Sequence, residues 1–353
     1  MFKNNHLADA KSNKMDEFYT QLVDIENELK HYRQHFKDKV VLCNCDDPRV
    51  SNFFHYFSYN FHQLGLKKLI TTCYKNQERD LFSQNDCERA IWLEYNGEME
   101  NGCVPDIDKI GIHYLNGDGD FRSAECIELL KQADIVCTNP PFSLFRDYVE
   151  QLIKYEKKFL IIGSQNAITY KEIFPLIQQN KLWMGYTGGS MTFKVPSDYP
   201  EMRSRYWVDE TGQKWRSMGN TYWFTNLTHK KRNEELFLYK HYTADEYFKY
   251  ENYDAINVDE VKMIPEDYFG IMGVPITFLD KYCPTQFEIL GMCENLDLYH
   301  LKTKVYTSSE CKLAYEKKFG KPGTYDLNAS GVILKNGIRE KTYQRILIRR
   351  KQA

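Results

Sequence analysis

The stretch DIVCTNPPFSLF, residues 134–145, decides the fold class of this 353-residue chain. Its apolar run is typical of a buried strand, and the run ends in an asparagine, two prolines and a phenylalanine. Prolines stop a strand and remove backbone donors. In an open α/β sheet, the end of such a strand is the edge where ligands bind. A bare Asn-Pro-Pro is also an ordinary strand cap and turn, so the rest of the chain has to separate the two interpretations.

Short apolar runs alternate with amphipathic segments on both sides of this stretch. A helix is predicted at residues 16–36 and a terminal strand at 343–350. Between them, strands are predicted at residues 39–45, 67–74, 109–121, 134–139 and 157–163, with helices between the strands and a further helix at 169–180. This alternation predicts an α/β fold, a doubly wound and largely parallel sheet of the Rossmann-like kind with helices on both faces. After residue 182 the segments KLWMGYTGGSMTFKVP and NTYWFTNL are predicted to add antiparallel strands, which makes the sheet mixed.

Charge and cysteine content set limits on the class of protein. The chain carries 47 Lys and Arg against 49 Asp and Glu, a net charge of −2, so any nucleic-acid surface has to be local. The candidates are HKKR at 229–232 and the tail, whose arginines are expected to contact phosphate. Ten cysteines show no C-x-x-C pair, and no apolar run approaches the roughly 20 residues of a membrane span. We expect a cytoplasmic protein without a membrane segment or a metal site.

Three polar turns are predicted at the carboxyl ends of strands: NCDDPRVSNF, NGDGDF and TNPPF. The first is not G-x-G-x-x-G, and the second strand ends in TTCY without an acidic residue, which disfavours a dinucleotide. The carboxylates of Asp46, Asp47, Asp118 and Asp120, with the aromatic Tyr19, favour a cationic ligand that carries hydroxyls, such as S-adenosylmethionine (SAM). The alternative is that these aspartates stabilise turns or cap helices and do not bind a ligand.

The turn after the fourth predicted strand offers two acceptors for a planar amine. The side-chain oxygen of Asn139 and the carbonyl of Pro140 can each accept one amino hydrogen, which leaves the nitrogen lone pair for a methyl group. Pro141 adds no competing N–H, and Phe142 can stack on a base. Because SAM carries an activated methyl group, this chemistry depends on positioning and electrostatics.

Several segments together resemble the EcoRI-like adenine-specific DNA methyltransferase family. They are DEFYTQ…DIENEL, NCDDPRVSNFF, GDGDFRS, TNPPFSLF, KKFLII…ITYKEIF and YDAINV…GVPITFL, in the family's order and covering most of residues 15–285. The resemblance implies a SAM-dependent methyltransferase fold, methyl transfer to the N6 of adenine in double-stranded DNA, and a target base flipped out of the duplex.

The resemblance also implies roles for individual residues. The amine-binding tetrapeptide corresponds to Asn139, Pro140, Pro141 and Phe142. The residues implied to bind SAM are Phe18, Tyr19, Asn44, Cys45, Asp46, Asp118, Asp120 and Phe121. The residues predicted to contact DNA are Arg203, Arg205, Lys214 and Arg216, interleaved with aromatic side chains.

We divide the chain accordingly into a flexible N-terminus (1–14), a SAM-binding catalytic domain (15–228) with a recognition insertion at about 186–220, and a target-recognition region (229–353). The implied enzyme is a monomer that acts in a restriction-modification system beside a separately encoded endonuclease, or protects phage or host DNA. Two alternatives stay open at this point. Asn-Pro-Pro-aromatic turns also serve the methylation of RNA bases and of glutamine side chains, and the fold can act as a catalytically silent DNA-binding module.

Overall fold

The computed structural model describes residues 19–45, 47–74, 89–195, 197 and 199–352. The chain forms two compact units. The first comprises the residues up to Ile177 together with Lys181–His229, and the second comprises Gln178–Asn180 and the residues from Lys230 onward. No helix in the described part of the chain is long and apolar enough to cross a membrane.

The first unit contains one large mixed sheet. Its strands are β1 (Tyr19–Thr20), β2 (Val40–Asn44), β3 (Lys68–Cys73), β4 (Ile91–Tyr95), β5 (His113–Tyr114), β6 (Ile135–Thr138), β7 (Lys158–Ser164), β8 (Trp183–Lys194), β9 (Tyr206–Val208) and β10 (Lys214–Thr225). The strand order is β1-β8-β10-β7-β6-β2-β3-β4-β5, with β9 paired to β10. The central strands β3, β2, β6 and β7 are parallel, and the outer pairs are antiparallel. The predicted α/β class with a mixed sheet is confirmed.

Helices connect and cover these strands. They are α1 (Leu22–Leu29), α2 (Asn52–Tyr59), α3 (Phe61–Leu64), α4 (Ile107–Ile110), α5 (Ala124–Gln132), α6 (Phe145–Lys154) and α7 (Phe174–Gln178). Serine side chains begin two of them: Ser51 accepts from the N–H of Phe54, and Ser123 accepts from that of Cys126. Every residue of β2 and β6 is buried, as expected for parallel strands covered on both faces.

The strand order reverses direction at β2. From β2 the chain first adds β3 on one side and later adds β6 on the other side. Ligands of open α/β sheets bind at this switch point, outside the carboxyl ends of the two strands that flank it. The fold therefore places the residues that follow β2 and β6 at the expected ligand crevice.

A buried carboxylate supports an irregular stretch of β8. Residues 185–187 of β8 lie opposite the single residue Trp223 of β10, so their backbone donors lack regular ladder partners. Glu28 on α1 is fully buried and accepts these donors, from the N–H of Tyr186 and the N–H of Thr187, both at 2.6 Å. The hydroxyls of Tyr32 (2.7 Å) and Thr187 (2.6 Å) also donate to it.

Three predictions about elements need correction. Residues 109–121 do not form a parallel third strand; they contain α4, the two-residue edge strand β5 and a loop. The long N-terminal helix is shorter than predicted, because Tyr19–Thr20 pair with β8 and α1 begins only at Leu22. The helix predicted around Pro175 is confined to Phe174–Gln178, which puts the proline in its first turn, where its missing N–H costs no hydrogen bond.

The second unit has its own sheet and hairpin. The sheet order is β11 (Ile256–Asn257), β12 (Ile271–Pro275), β16 (Arg345–Arg350), β13 (Phe287–Met292); the hairpin is β14 (Val332–Lys335) with β15 (Ile338–Lys341). Helix α8 (Ser308–Phe319) packs beside β15 and begins with a reciprocal capping box between Thr307 and Glu310. The predicted terminal strand is the strand β16 of this sheet.

Candidate active site

The end of β2 is held by a buried tyrosine from α6. Asn44 is only 8% exposed, and its side-chain oxygen accepts a hydrogen bond of 2.5 Å from the hydroxyl of Tyr148. Its backbone carbonyl accepts a hydrogen bond from the Thr138 hydroxyl of the neighbouring strand β6. The orientation of Asn44 is thus set from both sides of the crevice.

The loop after Asn44 departs from the glycine-rich form. Cys45 adopts φ = +89°, a left-handed conformation that glycine usually supplies. Asp46 lies outside the described residues. Asp47 is 2% exposed and accepts the N–H of Arg49 at 2.9 Å, while its carbonyl accepts from Ser51 at the start of α2. Asp47 therefore stabilises the turn, as the alternative to ligand binding predicted.

The Asn-Pro-Pro-Phe turn follows β6 on the other side of the switch point. Asn139 is 8% exposed, and its side-chain amide nitrogen donates to the hydroxyl of Thr20 at 3.2 Å. Pro140 is buried, whereas Pro141 and Phe142 are half-buried. Phe142 begins a short 3-10 helix that leads directly into α6, the helix that carries Tyr148. The turn and the β2 loop are therefore linked through one helix.

The loop of residues 116–121 reaches the carboxyl end of β3, although no parallel strand precedes it. Gly119 has φ = +82°, and a Cβ there would lie 2.8 Å from the carbonyl oxygen of Cys73, the last residue of β3. Only glycine permits this approach. Phe121 is 8% exposed and meets the Tyr148 ring edge-on, with centroids 5.0 Å apart. The loop is thereby joined to the same tyrosine that orients Asn44.

The two aspartates of this loop have different surroundings. Both oxygens of Asp120 accept from the Arg122 guanidinium, at 2.9 and 2.6 Å, and these hydrogen bonds lower the pKa of Asp120. Asp118 is exposed and accepts the backbone N–H of Asp120 at 3.0 Å. Asp120 is therefore engaged within the protein, and Asp118 faces solvent.

The N-terminal candidates are only partly described. Phe18 lies outside the described residues, and so does the side chain of Tyr19. The backbone of Tyr19 and Thr20 forms β1, which pairs with Phe193 and Lys194 at the end of β8. This pairing brings the N-terminal segment to Asn139.

Comparison with known proteins identifies the family. A family profile described as "Adenine-specific methyltransferase EcoRI" matches residues 6–351. The chain belongs to this family.

Three curated relatives are similar along most of the methyltransferase. Type II methyltransferase M.EcoRI of Escherichia coli is 52% identical over 298 residues, 83% of this chain and 91% of the relative. Type II methyltransferase M.MgeORF184P of Mycoplasma genitalium is 40% identical over 86% of this chain and 91% of the relative. Type II methyltransferase M.MpnI of Mycoplasma pneumoniae is 41% identical over 85% of this chain and 90% of the relative. No solved structure matches the chain significantly. The chain is thus an adenine-specific DNA methyltransferase.

Three of the four residues predicted to contact DNA make contacts within the insertion of the methyltransferase. Lys214 donates to the carbonyl of Tyr199 at 2.9 Å, and Arg216 donates to that of Ser204 at 2.7 Å. Arg205 has a left-handed φ of +54° and lays its guanidinium over the backbone of Gly219. Arg203 is exposed. These contacts tie Lys214, Arg216 and Arg205 to the insertion itself.

The arginines of the C-terminal strand also have partners within the protein. Arg345 is buried and donates to Asn257, Arg349 pairs with Glu288 at 2.5 Å, and Arg350 donates to the carbonyl of Glu266. The phosphate contacts expected of these arginines stay a prediction. Among the described residues between positions 302 and 351, four exposed lysines have neither an ion pair nor a side-chain hydrogen bond: Lys312, Lys317, Lys321 and Lys335, here called the unit-2 lysines.

Three residues of the site region escaped sequence reasoning: Thr20, Glu28 and Tyr148. Each forms a hydrogen bond with a partner more than 100 residues away in the chain, so the neighbouring sequence does not indicate its role. Thr20 and Glu28 lie inside segments that carry the family resemblance, whereas Tyr148 lies outside all of them. Within the described residues, no group of three or more His, Cys, Asp or Glu is arranged to hold a metal.

Proposed function

We propose that this methyltransferase transfers a methyl group from SAM to the N6 of an adenine flipped out of double-stranded DNA, with residues 139–142 forming the amine-binding turn. The observation that carries the proposal is the position of Asn139. It follows β6 at the switch point of the sheet, is held by Thr20, and lies across the crevice from the β2 loop.

The residues around the switch point fit SAM by their chemistry. Exposed Asp118 is assigned to accept hydrogen bonds from the cofactor, while Asp120, engaged by Arg122, shapes the loop. Asn44 and Cys45 supply the β2 side, and Asp46, Phe121, Phe18 and Tyr19 complete the proposed set. When bound, SAM supplies an activated methyl group, so the chain needs no strong general base.

The work left to the chain is orientation of the amine. The Asn139 side-chain oxygen and the Pro140 carbonyl accept the two amino hydrogens, which turns the nitrogen lone pair toward the methyl donor. Phe142 is half-buried, so part of its ring is available to stack on the extruded base. Its backbone is held by the short 3-10 helix before α6, which keeps the ring near Asn139.

The insertion and the second unit are proposed to hold the DNA. Residues 302–351 contain thirteen Lys and Arg against four Asp and Glu, although the whole chain has a net charge of −2. Such local excess of positive charge is what phosphate contact requires. Arg203, the unit-2 lysines and, to a lesser degree, Arg205, Lys214 and Arg216 are the proposed contacts. We further propose that the enzyme is a cytoplasmic monomer that protects sites from a separately encoded endonuclease.

A labelled-SAM assay tests the reaction. Purified protein is incubated with unmethylated duplex DNA, RNA and protein acceptors in parallel, and modified adenines are located by long-read sequencing. We expect label only in duplex DNA, at adenines in one recurring short sequence, and a loss of about a hundred- to a thousandfold with Asn139→Ala. Transfer to RNA or protein in place of DNA, or full activity of Asn139→Ala, would refute the proposal.

A further inference from the structure

Thr20 contacts the proposed catalytic asparagine. We propose that Thr20 is a positioning residue that sets which end of the Asn139 amide faces the target amine. The inference rests on the proposed function, because it concerns the same reaction. It begins from one hydrogen bond, from the side-chain nitrogen of Asn139 to the hydroxyl oxygen of Thr20 at 3.2 Å.

The amide of an asparagine has two ends of similar size and opposite hydrogen-bonding character. Its oxygen accepts, which suits the amino hydrogens of adenine, whereas its nitrogen only donates and would face those hydrogens unfavourably. A half-turn about the terminal side-chain bond exchanges the two ends. Catalysis therefore requires a neighbour that binds the nitrogen and leaves the oxygen directed toward the substrate.

Thr20 meets this requirement, because its hydroxyl is buried and held in one position. It is only 3% exposed, and its backbone is fixed on two sides: it pairs with Phe193 of β8, and its carbonyl accepts the side-chain nitrogen of Asn52 on α2 at 2.7 Å. A β-branched side chain on a strand has few rotamers, so the hydroxyl has a defined position. By accepting from the nitrogen of Asn139, Thr20 turns the amide oxygen away from itself.

The contact also couples the N-terminal segment to the chemistry. Thr20 and Asn139 are 119 residues apart in the chain and meet only because β1 joins the edge of the sheet. A displaced β1 would remove this hydrogen bond from the amide. Thr20 therefore makes the placement of the N-terminal segment a condition for a correctly oriented Asn139.

The test compares full-length variants by single-turnover methylation of duplex DNA, with SAM affinity and the KM for DNA measured separately. Thr20→Val keeps the shape of the side chain and removes the acceptor; Thr20→Ser restores it. Thr71→Val is the matched control, since Thr71 is buried in β3 and its hydroxyl has no partner among the described residues. We expect the rate with Thr20→Val to fall about tenfold, as for loss of one buried hydrogen bond. SAM affinity and KM should stay within about twofold, and Thr20→Ser and Thr71→Val should react at close to the wild-type rate.

A second background removes the orientation problem itself. In Asn139→Asp the two ends of the side chain are equivalent oxygens, so no neighbour has to choose between them. We expect Thr20→Val to change the rate of Asn139→Asp by less than about twofold, even if Thr20→Val lowers thermal stability. This double-variant comparison isolates the orienting role from effects on folding.

Three outcomes overturn the inference: a wild-type rate for Thr20→Val, an equal loss for Thr20→Ser, or a loss confined to SAM affinity, which would make Thr20 a cofactor contact. Failure of the proposed function looks different. In that case the wild-type protein transfers no methyl group to DNA, or Asn139→Ala stays active, whatever residue occupies position 20.

Discussion

The buried carboxylate of Glu28 gives the sharpest prediction for stability. Each of its oxygens accepts one backbone N–H, from Tyr186 and from Thr187, both at 2.6 Å. A backbone N–H cannot reverse its role, so the substitution Glu28→Gln forces an N–H of the glutamine amide against one of them. The hydroxyls of Tyr32 and Thr187 can turn to adapt.

The expected loss follows from these contacts. One buried donor left without an acceptor costs about 1–3 kcal/mol, and the other hydrogen bonds lose the strengthening that a charged acceptor provides. We expect Glu28→Gln to lower the free energy of unfolding of the first unit by about 3 kcal/mol. Glu26→Gln, on the exposed side of the same helix, should change it by less than about 0.5 kcal/mol.

Tryptophan fluorescence during urea unfolding measures this quantity for the first unit alone. All five tryptophans of the chain lie in that unit, so the second unit contributes no signal. If Glu28→Gln unfolds within about 0.5 kcal/mol of the wild type, the carboxylate does not support the irregular stretch of β8, and the reasoning is wrong.

The pH dependence adds an independent check. Burial raises the pKa of Glu28 from 4.5, although the hydrogen bonds from Thr187, Tyr32 and Tyr186 act to lower it. With a raised pKa, the folded state binds the proton more tightly than the unfolded state, so stability decreases as the pH rises from about 4.5 through the folded pKa. Glutamine does not titrate. The deficit of Glu28→Gln should therefore be largest at the acidic end and shrink as the pH rises.

Three further predictions concern the site and the DNA. Tyr148→Phe removes the hydrogen bond to Asn44 and should weaken SAM binding about tenfold in calorimetry; an affinity within about twofold of wild type would contradict the role given to Asn44. Cys45→Gly relieves the left-handed backbone and should raise the midpoint of thermal unfolding by about 2–4 °C, whereas Cys45→Ala, with the same backbone restriction, should leave it unchanged. Replacing the unit-2 lysines together by glutamine should make DNA binding less salt-dependent, by up to about 0.9 in the slope of log K against log salt for each phosphate that is no longer neutralised; an unchanged slope would place the DNA elsewhere.

The sequence by itself determined the central strands and the reaction class. The apolar runs of β2, β3, β6 and β7 were predicted correctly because parallel strands buried on both faces are continuous hydrophobic segments. The Asn-Pro-Pro-Phe turn can also be recognised from the sequence, because an asparagine and two prolines directly after an apolar run form a pattern of adjacent residues. Together with the other segments, it pointed to the family that the comparisons confirm.

Only the tertiary structure decided which residues hold the site in place. The loop of residues 116–121 was predicted to follow a parallel strand, yet it reaches the crevice from an edge strand through the close approach of Gly119 to β3. Glu28, Tyr148 and Thr20 act on partners 158, 104 and 119 residues away. Periodicity indicates which face of an element is buried, but a polar pair across the sheet leaves no periodic trace. Such pairs exist only after the strand order brings their elements together.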